Sequence, residues 1–207
     1  MKSFIKPTVS GIALVLIATF LSSCSMIDGY ETIAENIKKN AAAAERNDKA
    51  YTIPAGNHSA THGVHFVEQA ERISFTASFD SSAIYKTVNA NNQGDINKLY
   101  GLSDHGSQHQ ENSARFGWRW YEGKLEIWAY AYNNGERKLA LVDSMKLNQS
   151  ATFEISFGEN VYVFKVGNKT VQLPRACSGK ASGYRLYPYF GGDETAPHNI
   201  TIQIKDM

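Results

Sequence analysis

The sequence predicts an all-β chain, an antiparallel β-sandwich of the jelly-roll kind, and three observations carry that reading. Period-two alternation recurs: Ile73, Phe75, Ala77 and Phe79 in RISFTASFD; Phe153, Ile155 and Phe157 in TFEISFG; Ile200, Ile202 and Ile204 in NITIQIK. Such alternation gives a strand one apolar face and one polar face. Turn chemistry separates the runs at short intervals: Glu122-Gly123, Asn134-Gly135, Gly158-Glu159-Asn160 and Gly167-Asn168. Asn-Gly in particular is a type I′ hairpin signal, because both central residues must take positive φ. The stretch 51–207 is also long enough for one sandwich and too short for two.

The ends of the chain are of another kind. Lys2 and Lys6 precede a short apolar run from Val9 to Leu21, which reads as an export signal rather than a membrane span. Leu21-Ser22-Ser23-Cys24 closes it and resembles the bacterial lipobox, in which the cysteine is acylated and becomes the mature N-terminus. That resemblance implies a signal peptide over 1–23, lipid such as palmitate on Cys24, and a membrane held through it. Ser25 after the cysteine implies the outer membrane of a bacterial cell envelope. Residues 24–50, rich in Ala, Glu and Lys, read as a helical or flexible tether, leaving 51–207 as the β domain.

Charge excludes one class of partner. The chain has 21 basic and 20 acidic residues. Removal of Lys2 and Lys6 with the signal leaves 19 against 20, so no global field draws nucleic acid. With Cys24 lipidated, Cys177 stands alone in the loop RACSGKASG and has no disulfide partner and no neighbouring histidine, so it reads as incidental.

The richest segment is ARFGWRWYEGKLEIWAYAYNNGERK, 114–138. Alternation puts Phe116, Trp118 and Trp120 on one face and Arg115, Gly117, Arg119 and Tyr121 on the other. On the next strand Leu125, Ile127, Ala129 and Ala131 alternate with Glu126, Trp128, Tyr130 and Tyr132. YRLYPYF repeats the mixture, with Arg185, Tyr187 and Tyr189 read as one face. Trp118 and Trp120 are expected in the core. Arg115, Arg119, Tyr121, Glu126, Trp128, Tyr130, Arg185 and Tyr187 are expected to form a ligand floor of flat rings and directional charged groups. Residues 89–113 read as one long polar loop, whose His105, His109 and Glu111 would rim that floor.

The runs RFGWRWYEGKLEIWAYAYNNGERK, TFEISFGENVYVFKVGNKTVQL and YRLYPYFGGDETAPHNITIQI resemble the concanavalin A-like jelly roll of legume lectins, laminin-G modules and several polysaccharide lyases and glucanases. The resemblance is one of strand rhythm. It implies ligand on one sheet and, by the pattern of alginate-lyase-like members, a tyrosine and a histidine for proton transfer with an arginine on the uronate carboxylate. Tyr187 or Tyr189, His109 and Arg119 are the residues that would carry a lyase reaction. The Arg–small–Glu motif of such lyases is missing, however, and Glu126 has no acidic partner two or four residues away, as a two-carboxylate glycosidase would need.

Metal signals are thin. His105 and His109 have zinc spacing, but Gly106 and Ser107 oppose a helix and no third ligand follows. Asp193, with Glu194 and loop carbonyls, is the one candidate for a structural calcium; no other cofactor is expected. The reading is therefore a membrane-anchored lipoprotein whose jelly roll holds an oligo- or polysaccharide, an acidic one given the arginines. Two alternatives stand beside it: a lyase that cleaves a uronate polymer by β-elimination, and an envelope scaffold that binds a protein partner.

Overall fold

The computed structural model describes residues 48–207, and the signal peptide, Cys24 and most of the tether lie outside the described residues. The alternating runs become β3 (Arg72–Phe79), β8 (Ala151–Gly158) and β12 (Ile200–Asp206). They neighbour one another in a six-stranded antiparallel sheet of order β1-β12-β3-β8-β9-β10, with β1 at Asp48–Ile53, β9 at Val161–Val166 and β10 at Lys169–Pro174. A second antiparallel sheet has the order β2-β11-β4-β5-β6-β7. Its strands are β2 (Phe66–Ala70), β11 (Ala181–Leu186), β4 (Asn97–Ser103), β5 (Ser113–Tyr121), β6 (Lys124–Asn133) and β7 (Glu136–Met145). Among the described residues the only helical pieces are two 3₁₀ turns, Ser81–Ala83 and Ala90–Gly94. β1 pairs with β12 from Asp48, the first described residue.

The core fills the space between the sheets. Phe75 stacks on Phe153 with centroids 5.0 Å apart, and Phe116 of the opposite sheet meets Phe153 and Phe164 edge-on at 5.0 and 5.3 Å. Trp118 is fully buried against Phe79 and Tyr85, whereas Trp120 is only half-buried at the margin of the same face. Truncating one such buried ring costs about 3–5 kcal/mol, so the alternation in these strands is the main determinant of the fold. The hairpins follow their turn residues: Glu122 and Gly123 take φ 49° and 74°, Asn134 and Gly135 take 51° and 80°.

The stretch 89–113 corrects the expectation of a single long loop. Its middle is β4, a central strand between β11 and β5. Pairing steps from Lys98–Gly117 to Gly101–Arg115, so a bulge turns both Leu99 and Tyr100 into the core, 0% and 2% exposed. That bulge removes the alternation by which a strand is recognised. A 3₁₀ turn precedes β4, and the loop 104–112 that follows it is anchored from beneath. Asp104 is wholly buried, pairs with Arg175 at 2.7 Å, and accepts from Tyr162 Oη at 2.9 Å and from the His105 N–H at 2.8 Å. Arg175 also donates to the carbonyls of Gly158 and Gly179, which ties the loop to the first sheet.

Candidate functional site

The outer face of the second sheet collects charge and aromatic rings. The register sets it out in rows across the strands: Gly101, Arg115, Tyr130 and Leu139 in one; Lys98, Gly117, Trp128 and Leu141 in the next. Glycine at 101 is required by close approach, since a Cβ there would lie 2.3 Å from that of Arg115. The Arg115 side chain occupies the space so left.

Arg115 is the unusual member. It is 7% exposed, lies with its guanidinium carbon 5.0 Å from the centre of the Tyr130 ring, and is ringed by Tyr130, Tyr132, Tyr184 and Tyr189. Its buried Nε has no hydrogen-bond partner, and no carboxylate lies within ion-pair distance of it among the described residues. Burial holds the guanidinium pKa below its ordinary value. An unpaired buried cation is costly, and groups perturbed in this way cluster at functional sites.

Lys98 stands one row away, 5.6 Å from the ring centres of both Tyr130 and Tyr189, and donates to the Gly191 carbonyl. Burial, then the neighbouring Arg115 and Arg137, push its pKa down to about 8, with Asp95 opposing. Lys98, Tyr130, Arg137, Leu139 and Asp95 line a hollow of about 120 Å³ beside Arg115. Three cations therefore face one region that holds a single acid. The sign of the resulting pH effects is set by Lys98. Its folded pKa lies below the ordinary 10.5, so the unfolded chain binds more protons between about pH 8 and 10.5, and the charge penalty on stability is relieved as pH rises through that window. Anion binding runs the other way. Affinity for an anionic ligand is expected to fall as pH rises through about 8, with proton uptake on binding just above it, measurable by titration calorimetry in two buffers of different ionisation heat.

Next to these cations is a hydrogen-bonded tyrosine–histidine pair. The backbone N–H of His109 donates to Tyr184 Oη at 2.9 Å, and the ring Nδ1 of His109 lies 2.7 Å from the same oxygen. A neutral ring whose Nδ1 accepts the Tyr184 O–H carries its own proton on Nε2. Burial, then Arg115, lower the His109 pKa and keep the ring neutral. Tyr184 lies on this face because the β11–β4 register pairs the next residue, Arg185, with the inward Leu102, while the Tyr184 N–H donates to Ser103 Oγ.

That register corrects the alternation reading of YRLYPYF. Arg185 turns to the inner side, its guanidinium 4.9 Å from the centre of the Tyr100 ring and 3.8 Å from Asp206. Tyr187 packs with Tyr51, Tyr100 and His62 and is likewise off the floor. The regular strand ends at Leu186, and beyond Pro188 Tyr189, bridged to Lys98, returns to the outer face and stacks on His58 at 5.1 Å. The histidine's partner is thus Tyr184, not Tyr187 or Tyr189. Sequence reading missed Tyr184 and Lys98, since only the long-range pairing of β4 reveals which way they face.

The remaining expected residues are placed as follows. Arg119 is neutralised: Nε pairs with Glu126 at 2.6 Å, Nη1 donates to the Gly94 carbonyl at 2.6 Å, and its plane lies over Tyr121 and Trp128. Trp128 Nε1 donates to the same Glu126 oxygen at 3.1 Å. His105 and Glu111 are exposed on the loop. Among the described residues no cluster of three or more His, Cys, Asp or Glu is placed to hold a metal, and Asp193 is exposed while Glu194 accepts from the N–H groups of Val88 and Asn89. Cys177 is buried, with its thiol pushed up to about 11, chiefly by burial.

No family model matches the chain, and no curated protein matches it in sequence. Solved structures do. Alginate lyase AlyC3 is similar at a TM-score of 0.55 and 12% identity, over 77% of this chain and 74% of that one. Its complex with dimannuronate is similar at 0.53 and 11%, over 77% and 73%. A functionally unknown protein from Saccharomyces cerevisiae follows at 0.50 and 8%, over 78% and 86%. At such identities the likeness defines the fold: the described residues form a β-sandwich jelly roll of the architecture found in alginate lyases.

Proposed function

We propose that this protein binds an acidic polysaccharide on the outer face of the second sheet, with a carboxylate seated on Arg115 between Lys98 and Arg137. The observation that carries the reading is the buried Arg115 guanidinium, unpaired by any acid and set among tyrosines. Carboxylates and guanidinium groups pair through two parallel bonds, and sugar rings stack on aromatic faces. A similar fold with dimannuronate bound supports the choice of ligand class. In the full chain the lipobox would tether this domain to the outer membrane through acylated Cys24, and mass spectrometry of the mature N-terminus tests that part separately.

The Tyr184–His109 pair favours a second step, β-elimination on the bound uronate. Arg115 would stabilise the charge that develops on the carboxylate as Tyr184 Oη, its proton drawn toward His109, takes the proton on the adjacent carbon. The freed electron pair forms a C=C bond, the bond to the leaving sugar oxygen breaks, and that oxygen takes a proton back from the pair. The product is an unsaturated uronate that absorbs in the ultraviolet. Incubation with a panel of uronate polymers should raise that absorbance, and Tyr184→Phe should lower the rate by about 10²–10⁴-fold with affinity retained. Binding without any absorbance gain across the panel leaves a recognition module and removes the elimination step.

A further inference from the structure

The two ends of the floor differ in a way that bears on which acidic glycan it takes, and this inference rests on the binding reading above. Trp128 stands opposite Gly117, in the row next to that of Arg115 and about 7 Å along the strands at ~3.3 Å per residue, with Arg119 and Glu126 one row further on. At the Arg115 end, Lys98, Arg115 and Arg137 have no carboxylate within ion-pair distance among the described residues. At the Arg119 end every charge is spent. Glu126 Oε2 takes Arg119 Nε at 2.6 Å and Trp128 Nε1 at 3.1 Å, and Arg119 Nη1 donates to the Gly94 carbonyl. A half-buried Tyr121 and a half-buried Trp128 enclose the guanidinium, and Leu141, 49% exposed, stands opposite Trp128 in the register.

A carboxylate arriving at that end would meet the Glu126 carboxylate beside a guanidinium already neutralised by it, and would be desolvated without a free counter-charge. An uncharged sugar would instead meet ring faces and an apolar side chain. A polymer that carries a carboxylate on every sugar brings a second one to this end as its chain runs from the Arg115 row to the neighbouring Trp128 row. We propose that the recognised glycan is a heteropolymer in which an acidic sugar, held at Arg115, is joined to an uncharged sugar that stacks on the Trp128–Tyr121 platform.

The test is a set of titrations of the full-length protein, followed by calorimetry. The probes are polymannuronate, with a carboxylate on every sugar; hyaluronan, in which a uronate alternates with an uncharged N-acetylhexosamine; and a neutral glucan. The alternating polymer is expected to bind about tenfold tighter than the homopolymer, the worth of one good stacking contact, with the glucan weakest. Trp128→Ala should weaken the alternating polymer by about tenfold and bring it level with the homopolymer. Equal or tighter binding of polymannuronate by the wild-type protein overturns the inference and leaves the binding reading intact, and it needs no variant to fold. A Trp128→Ala variant that melts normally and weakens both polymers alike overturns it too. If neither acidic polymer binds, the binding reading itself falls, and this inference with it.

Discussion

Arg115→Met is expected to abolish binding of an acidic glycan while leaving the fold as stable as before, or more so. The two halves of that expectation have separate causes. A carboxylate seated on a buried guanidinium makes charge-assisted bonds that nothing else on the face replaces, and removing one partner of such a pair costs about 2–5 kcal/mol, at least thirtyfold in affinity. The free protein, in contrast, bears the cost of a desolvated cation whose Nε has no partner. Methionine fills similar volume without charge, and replacing buried charge by an apolar side chain is commonly neutral or stabilising. Arg115→Lys keeps a charge but loses the planar fork, so it should recover only part of the affinity. Calorimetric titration paired with a thermal melt checks both halves. A melting temperature several degrees lower with unchanged affinity would make Arg115 a packing residue and would remove the chief support for the binding reading.

The contrast between Arg115 and Tyr184 shows what the sequence discloses and what it hides. Arg115 is flanked by Ala114 and Phe116, both wholly buried, within a strand bounded by a clear Glu-Gly turn, so local alternation suffices to put it on the outer face. The same holds for Trp128 and Tyr130 on β6. Tyr184 lies in a run where every residue but Leu186 and Pro188 is aromatic or basic, so alternation has no apolar reference and either face fits YRLYPYF. Its direction is decided by pairing with β4, about eighty residues earlier. β4 is itself obscured by its bulge and by Asn97. That buried polar side chain is satisfied by Tyr85 Oη at 3.0 Å and by the Gly191 N–H at 2.7 Å, partners that no local pattern contains. Arg119 shows the opposite failure. Its outward direction was legible, but its neutralisation by Glu126 depends on the β5–β6 register and could not be read from composition. Faces are thus legible where a strand has an apolar reference; charge state and partner choice are properties of the register.

The largest effect on stability is expected at Asp104. Its carboxylate accepts four bonds: from Arg175 Nε at 2.7 Å and Nη2 at 3.2 Å, from Tyr162 Oη at 2.9 Å and from the His105 N–H at 2.8 Å. Both side chains of the ion pair are completely excluded from solvent. Asp104→Asn leaves the Arg175 guanidinium buried without a counter-charge, which costs about 3–5 kcal/mol. For a domain of this size each kcal/mol lowers the melting temperature by roughly 2–4 °C, so a fall of about 6–20 °C should follow. Arg175→Met alone should be costly as well, because the carboxylate is then the orphan. The double variant Asp104→Asn/Arg175→Met should be more stable than the additive sum of the two, since neither buried charge remains to be compensated. Function should respond unevenly. The Asp104 carboxylate also ties the start of the loop to Arg175 and Tyr162, and that loop carries His109, whereas Arg115 and Lys98 stand on strands. Below its lowered melting point the Asp104→Asn protein should therefore keep its affinity for an acidic glycan and lose the His109–Tyr184 hydrogen bond. The His109 ring would then titrate closer to the ordinary histidine range, which NMR reads without any substrate. An unchanged His109 titration in a variant that melts much lower would show that the ion pair stabilises the sandwich without positioning the histidine.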